Sequence, residues 1–413
     1  MNMSNYVFED SEKLGFHKDR LDAIPAFFDS YLDKKKFAGL SLLVAREGKV
    51  ALLSHRGQSA FEGGFDVDDS AIYRIYSMTK PITSVALMQL VEQGKVMLTD
   101  PITKYIPAFK DVMLFESGTA SDYTTRAPDR MISVHDLLTH QSGMTYDFMA
   151  EHAVDAIYRK NGVNGARTEN LDTAGLCAKL AEMPLLFSPG QHWNYSVATD
   201  VVGHIVELVS GLSLDAYFKL HILDPLGMED TFFHIPDDKR HRLMSNYAYD
   251  PVSRKTSLVD GPERTIYRPG REFLSGGGGL LSTISDYFKF ADMIHRGGTG
   301  ANGALILGRK TVEKMASNQL PNNCTLEDHG FGEFTEVAYP GTGFGLGMSV
   351  VTEPSVTIAS TSKGNTSWGG LASTIYWNDP VEDMTVVFMT QLMPANTYPL
   401  RTQLQQLVYA SLV

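Results

Sequence analysis

The chain is poor in cysteine: its 413 residues include only two, Cys177 and Cys324, too few for a disulfide framework or a thiolate metal site. It lacks any uninterrupted apolar run of about 18 residues, which excludes a spanning helix and a membrane partner. Residues 1–20 lack a basic start followed by an apolar core, so no secretory leader is expected and a cytoplasmic location is. Positive charge is the minority sign, with 36 Lys and Arg against 48 Asp and Glu and a net charge of -12, which argues against a nucleic-acid partner. Three signatures of catalysis are missing as well. There is no G-x-S-x-G elbow of an α/β-hydrolase. There is no H-E-x-x-H, and His234 and His241 are separated by a Pro-Asp-Asp-Lys stretch. The glycine run 276–279 is not followed by Gly-Lys-Ser/Thr, so it reads as a close-packing turn rather than a phosphate loop. Neither metal nor cofactor is expected.

What is present is ordinary globular composition, 43% hydrophobic and 20% charged, in a chain long enough for one large or two ordinary domains. The informative stretch is Tyr73-Arg74-Ile75-Tyr76-Ser77-Met78-Thr79-Lys80-Pro81. Ile82, Val85, Ala86, Met88 and Val91 predict a helix over 81–93, stopped by Gly94, and Pro81 suits its first turn. Ser77 then sits at a helix mouth with Lys80 three residues on, a spacing that lets hydroxyl and amine meet. A serine hydroxyl needs a nearby base to become a nucleophile. Burial and the positive end of a helix make a lysine amine a better base, and free N–H groups at the same mouth suit an oxyanion.

Along the rest of the chain, periodicity predicts helices over 18–35, 133–140, 172–183, 198–210, 213–221, 284–296 and 399–412. It predicts strands over 39–46, 49–55, 345–351, 355–360, 371–377 and 384–390. Glu47-Gly48 reads as a two-residue hairpin turn. Strands at both ends and helices between predict an α+β fold. Its mainly antiparallel sheet is built from both chain ends and flanked by helices, with a mostly helical insert. The expected division is 1–84 with 336–413, interrupted by 85–335, with Ser77 at the seam, where pockets tend to form.

Two further stretches bear on Ser77. The loop 187–197, marked by Ser-Pro-Gly, delivers Tyr195 just before a helix, where a phenol can share a proton with Lys80 and Ser77. Trp368-Gly369-Gly370-Leu371 reads as a strand edge whose glycines admit close approach to the backbone, with the Leu371 N–H as donor.

Taken in order, Ser77-x-x-Lys80, Tyr195-Ser196-Val197 and Trp368-Gly369-Gly370 resemble the serine β-lactamase-like superfamily of class C β-lactamases, penicillin-binding proteins and family VIII carboxylesterases. The stretches 137–144, 224–228 and 276–286 are similar too, so the resemblance covers roughly residues 15–410. It implies a β-lactamase/transpeptidase-like fold and an acyl-enzyme on Ser77, with Lys80 and Tyr195 handling its proton. It also implies an oxyanion site from the N–H groups of Ser77 and Leu371. The departures narrow the substrate. Class C β-lactamases carry Asn where this chain has Val197, and Lys-Thr-Gly where it has Trp368-Gly369-Gly370. Losing those contacts to a lactam removes charge-assisted hydrogen bonds of roughly 1.5–3 kcal/mol each. An uncharged ester needs neither.

The resemblance at both positions is to family VIII carboxylesterases, which implies a small-molecule, short-acyl ester as substrate. Tyr76, Tyr146 and Phe148, with Trp368, are candidate pocket walls. Other readings are a class C-like β-lactamase with weak cephalosporin hydrolysis, an acyltransferase or D-aminopeptidase on the same fold, and a catalytically silent binding domain. Lys363, five residues before Trp368, would favour β-lactam hydrolysis if it reached the pocket. A Ser-His-Asp hydrolase would need a histidine beside Ser77; His135 and His140 read as structural.

Overall fold

The computed structural model describes residues 6–168, 170–331 and 339–413. Its centre is a seven-stranded sheet made from both ends of the chain. Gly39–Arg46 (β1) and Lys49–Gly57 (β2) come from the first, and five strands from the second: Thr342–Phe344 (β3), Ser349–Val351 (β4), Thr366–Gly369 (β5), Ile375–Asp379 (β6) and Met384–Thr390 (β7). The order is β2-β1-β7-β6-β5-β4-β3, antiparallel throughout. Strands β1 and β7 join the two ends, Leu40 opposite Thr390 and Arg46 opposite Met384. Glu47 and Gly48 both have positive φ, +54° and +68°, as a tight hairpin turn requires.

The near-continuous burial of β1 and β7 follows from helices on both faces. Leu42, Val44, Val386 and Phe388 point to the terminal helices, Lys18–Asp33 (α1) and Leu400–Ala410 (α5), whose Leu21, Ile24, Phe28, Leu404 and Val408 share that core. Leu43, Ala45, Val387 and Met389 point the other way, into a larger core. There Ile284–His295 (α4) lies on the sheet and Thr79–Glu92 (α2) packs on Ala198–Ser210 (α3). Helix α2 is buried from Thr79 to Leu90, so it is a central core helix rather than an amphipathic one. Among the described residues between 85 and 331 most of the regular structure is helical, and α4 packs on β6 and β7. Position 335/336 lies outside the described residues. Among the described residues no single helix is long and apolar enough to cross a membrane.

Three sequence expectations are corrected. Residues 355–360 form no strand: Pro354–Val356 is a 3-10 turn, and Val356 and Ile358 are exposed. Apolar alternation there mimicked a strand, and Pro354 has no N–H for a ladder. Residues 345–348 are a loop between β3 and β4. Gly347 turns at φ +90° there, with Ser84 Oγ 2.0 Å from where a Cβ would lie. Residues 371–374 form a turn, so Trp368 and Gly369 end one strand, β5, instead of preceding another. Three small sheets were not anticipated: Tyr73–Arg74 with Leu281–Ser282, the hairpin Leu114–Gly118 with Tyr123–Arg126, and Asn246–Asp250 with Lys255–Asp260 and Leu392–Met393.

Candidate active site

Ser77 is reached through a short strand, Tyr73–Arg74, paired with Leu281–Ser282. Arg74 is wholly buried and bonds Asp260 Oδ2 at 2.5 Å and, through its own N–H, Gln391 Oε1 at 3.0 Å. Tyr76 then has φ +43°, a conformation in which a bulky residue is strained, and its hydroxyl accepts from Asn246 Nδ2 at 2.8 Å. The 3-10 turn Tyr76–Met78 runs straight into α2, so the helix starts two residues before the expected position 81. Tyr287 OH donates to the Met78 carbonyl at 2.9 Å and the Leu280 N–H to Thr79 Oγ1 at 3.1 Å, which fixes the junction.

On this frame the three distant residues meet. Tyr195 OH lies 2.6 Å from Ser77 Oγ. Lys80 Nζ is 3.5 Å from Ser77 Oγ, 3.0 Å from Tyr146 OH and 2.6 Å from the Gly277 carbonyl. Ser77 keeps 8% of its surface exposed while Lys80 has none. The ammonium position is 4.4 Å above the Tyr195 ring, where a ring face attracts positive charge. Among the described residues no histidine nitrogen bonds Ser77 Oγ, which leaves the Ser-His-Asp reading without its base.

Tyr195 is held by two loops running side by side. The Asn194 N–H donates to the His140 carbonyl at 2.9 Å and the Val197 N–H to Thr145 at 3.3 Å; Asn194 Nδ2 reaches the Met144 carbonyl at 3.0 Å. The Tyr195 ring is caged by His140, Tyr146 and Trp368 at centroid distances of 4.9, 5.2 and 5.5 Å. His140 Nδ1 pairs with Ser196 Oγ at 3.1 Å. Burial, with the Lys80 charge added, keeps its imidazole neutral far below the usual histidine range.

Behind Lys80 stands a feature that sequence reasoning missed. Asp200, on α3, is wholly buried; its Oδ1 accepts from Ser275 Oγ at 2.6 Å and from the Gly277 N–H at 3.0 Å. The glycine whose carbonyl takes Lys80 is thus held through its own N–H by a carboxylate. Burial pushes that carboxyl up, opposed by the Ser275 hydroxyl, the Lys80 charge and the Gly277 N–H. The glycines of this turn are required by space: a Cβ on Gly277 would lie 2.6 Å from Asp200 Oδ2, and one on Gly276 2.9 Å from the Thr199 carbonyl. The run 276–279 is a close-packing turn, as its sequence suggests.

The remaining candidates divide. Trp368 is buried against Tyr195 and Phe344. Gly370 lies against the backbone leading to Ser77, since a Cβ on it would be 2.4 Å from the Ile75 carbonyl. Leu371 is half-buried and packs with Tyr76 and Met393. Neither the Ser77 nor the Leu371 N–H bonds a backbone carbonyl among the described residues. Tyr146 is buried as a partner of Lys80, while Phe148 is 48% exposed and stacks on it at 4.7 Å. Val197 is fully buried at the start of α3. Lys363 is exposed in the turn before β5. His234 bonds the Arg271 carbonyl at 2.9 Å, and no group of three metal-ligating side chains exists among the described residues.

Comparison with known proteins gives this arrangement its relatives. An uncharacterized protein of Mycobacterium tuberculosis is 31% identical over 377 residues, 91% of this chain and 90% of its own. Esterase EstB of Burkholderia gladioli is 27% identical over 95% of each chain. The solved structure of EstCE1, described as a hydrolase with promiscuous acyltransferase activity, shares the fold with a TM-score of 0.79. It is 23% identical and covers 95% of this chain and 98% of its own. The family model described as Beta-lactamase matches residues 24–410, and the chain belongs to the beta-lactamase family.

Proposed function

We propose that the protein is a serine carboxylesterase that hydrolyses short-acyl esters through an acyl-enzyme on Ser77. The observation that carries this reading is the 2.6 Å contact of Tyr195 OH with Ser77 Oγ, with Lys80 3.5 Å from the same oxygen. Tyr195 and Lys80, acting as one coupled group, take the Ser77 proton as Oγ attacks the ester carbonyl. The N–H groups of Ser77 and Leu371 hold the oxyanion, each such donor contributing about 100- to 1000-fold in rate. Collapse expels the alcohol, which leaves with the proton held by the pair. Water then attacks the acyl-enzyme by the same route in reverse and releases the acid.

An ester is favoured over a β-lactam because the tryptophan at 368 is buried against Tyr195 and brings no cation, while Lys363 is exposed in the turn before β5. The kinship with Esterase EstB points the same way. Acyl transfer to an alcohol is a second outcome of the same intermediate, and the description of EstCE1 favours keeping it in view. The test is turnover of nitrophenyl esters of rising chain length beside a chromogenic cephalosporin, with intact-mass detection of an acyl adduct. Ester turnover with an adduct on Ser77, both lost in Ser77→Ala, is expected. Full turnover in Ser77→Ala would overturn the reading.

A further inference from the structure

Strand β5 has two faces. Trp368 points toward Tyr195, whereas Ser367 and Gly369 point to the side of α5, onto an open groove of about 500 Å³ that Ile375, Trp377, Tyr398 and Arg401 also line. A hollow there means that little packed side chain supports the end of β5 from behind. One contact does. Arg401, in the first turn of α5, donates through Nη2 to the carbonyl of Gly370 at 2.6 Å and to that of Thr374 at 2.8 Å.

Those carbonyls are the two ends of the turn that carries Leu371. The turn is closed by the Gly370 N–H on the Thr374 carbonyl at 2.9 Å and the Ser373 N–H on the Gly370 carbonyl at 3.0 Å. Its other side abuts Ile75, two residues before Ser77. The guanidinium also explains Gly369: a Cβ there would lie 2.5 Å from Arg401 Cζ. Both glycines are therefore places where the turn is squeezed, one by the backbone before the nucleophile and one by the arginine. A planar, permanently charged donor suits two carbonyls converging on one nitrogen better than a flexible amine.

We propose that Arg401 is a positioning residue for acyl transfer, its guanidinium clamping the Gly370 and Thr374 carbonyls so that the Leu371 N–H stays aimed at the oxyanion beside Ser77. The inference rests on the Ser77 reading given above. Donors misplaced by about 1 Å cost on the order of 100-fold in rate, and substrate binding away from the carbonyl is untouched.

Arg401→Ala is therefore expected to lower kcat for a nitrophenyl ester by about 10- to 100-fold with KM within about threefold. The rate at which a fluorophosphonate labels Ser77 should fall in parallel, because that reaction also develops charge on the held oxygen. Arg401→Lys should restore part of the loss. Should Arg401→Ala fold poorly, Gly369→Ala supplies the second perturbation, since its methyl group displaces the guanidinium. In the Arg401→Ala background that methyl has room, so its penalty should shrink toward none. Unchanged kcat and labelling in a folded Arg401→Ala protein would overturn the clamp, as would a Gly369→Ala penalty equal in both backgrounds. Either result would leave the esterase reading standing; that reading falls instead if Ser77→Ala remains active.

Discussion

The sharpest prediction concerns one oxygen atom. Tyr195→Phe removes the hydroxyl that lies 2.6 Å from Ser77 Oγ and leaves the ring. The ring is what holds the loop: its contacts with His140, Tyr146 and Trp368 are all retained by phenylalanine. The stability cost should therefore be that of a single hydrogen bond, about 0.5–1.5 kcal/mol. In a chain of this size that is a shift of only a few degrees in Tm. The kinetic cost should be far larger, because a positioned acid–base group contributes about 100- to 10,000-fold. At 1.36 kcal/mol per tenfold, that range corresponds to roughly 3–5 kcal/mol of transition-state stabilisation.

The gap between the two costs is the test. Purified Tyr195→Phe is compared with wild type for kcat on a nitrophenyl butyrate and for its urea midpoint. A kcat drop of at least about 100-fold with a midpoint change equivalent to about 1 kcal/mol is expected. A variant that keeps more than about a tenth of wild-type kcat would refute the reasoning, for then Lys80 alone would serve as base across 3.5 Å.

Two further predictions probe the surroundings of Lys80. Asp200→Asn preserves the acceptor for Ser275 and Gly277 but removes the carboxylate behind the lysine; losing that negative charge disfavours the ammonium form. The acid limb of the kcat/KM profile should move to lower pH, and an unmoved limb would show that Asp200 acts through packing alone. His140→Asn suits the left-handed backbone at φ +55° and tests linkage. The buried imidazole resists protonation, so below the free histidine value of 6.5 the unfolded chain binds more protons than the native one. Its contribution to stability is full above that pH and is lost as pH falls, by up to about 1.4 kcal/mol per unit. The variant should show a shallower loss of urea midpoint between about pH 6.5 and 5 than wild type does; equal slopes would sink the assignment.

How far the sequence alone leads depends on which kind of information a position carries. The sheet was legible where the strands have hydrophobic runs on both sides of a tight turn, as at Glu47-Gly48, and where β7 carries the run Val386-Val387-Phe388-Met389. It was misleading at 355–360, where exposed Val356 and Ile358 follow a strand's alternation without having a ladder to join. The start of α2 was misplaced because Thr79 and Lys80 look like polar pre-helix residues. In fact they are buried, Lys80 by its contacts with Tyr146 and Gly277 and Thr79 by its bond from the Leu280 N–H.

At the site, the residues with reactive side chains were visible and their supports were not. Ser77 and Lys80 announce themselves by a three-residue spacing, and Tyr195 by a loop that must end at a helix. Tyr146 was singled out only as a wall, yet it bonds Lys80 at 3.0 Å, because nothing in a loop sequence tells which way a phenol will turn. Asp200 had one available signal, a carboxylate in the first turn of a helix rich in apolar residues, and that pattern is usually read as dipole compensation. Here it serves a backbone N–H on a distant turn instead. The acceptor for Lys80 is a glycine carbonyl and the proposed clamp on Leu371 acts through two more carbonyls. A carbonyl is common to every residue, so its use leaves no mark in the sequence beyond the glycines that make room for it. Runs such as 276–279 and 369–370 are therefore the places where sequence can point to a support: each marks a close approach whose partner, Asp200 or Arg401, is named only once the chain has folded.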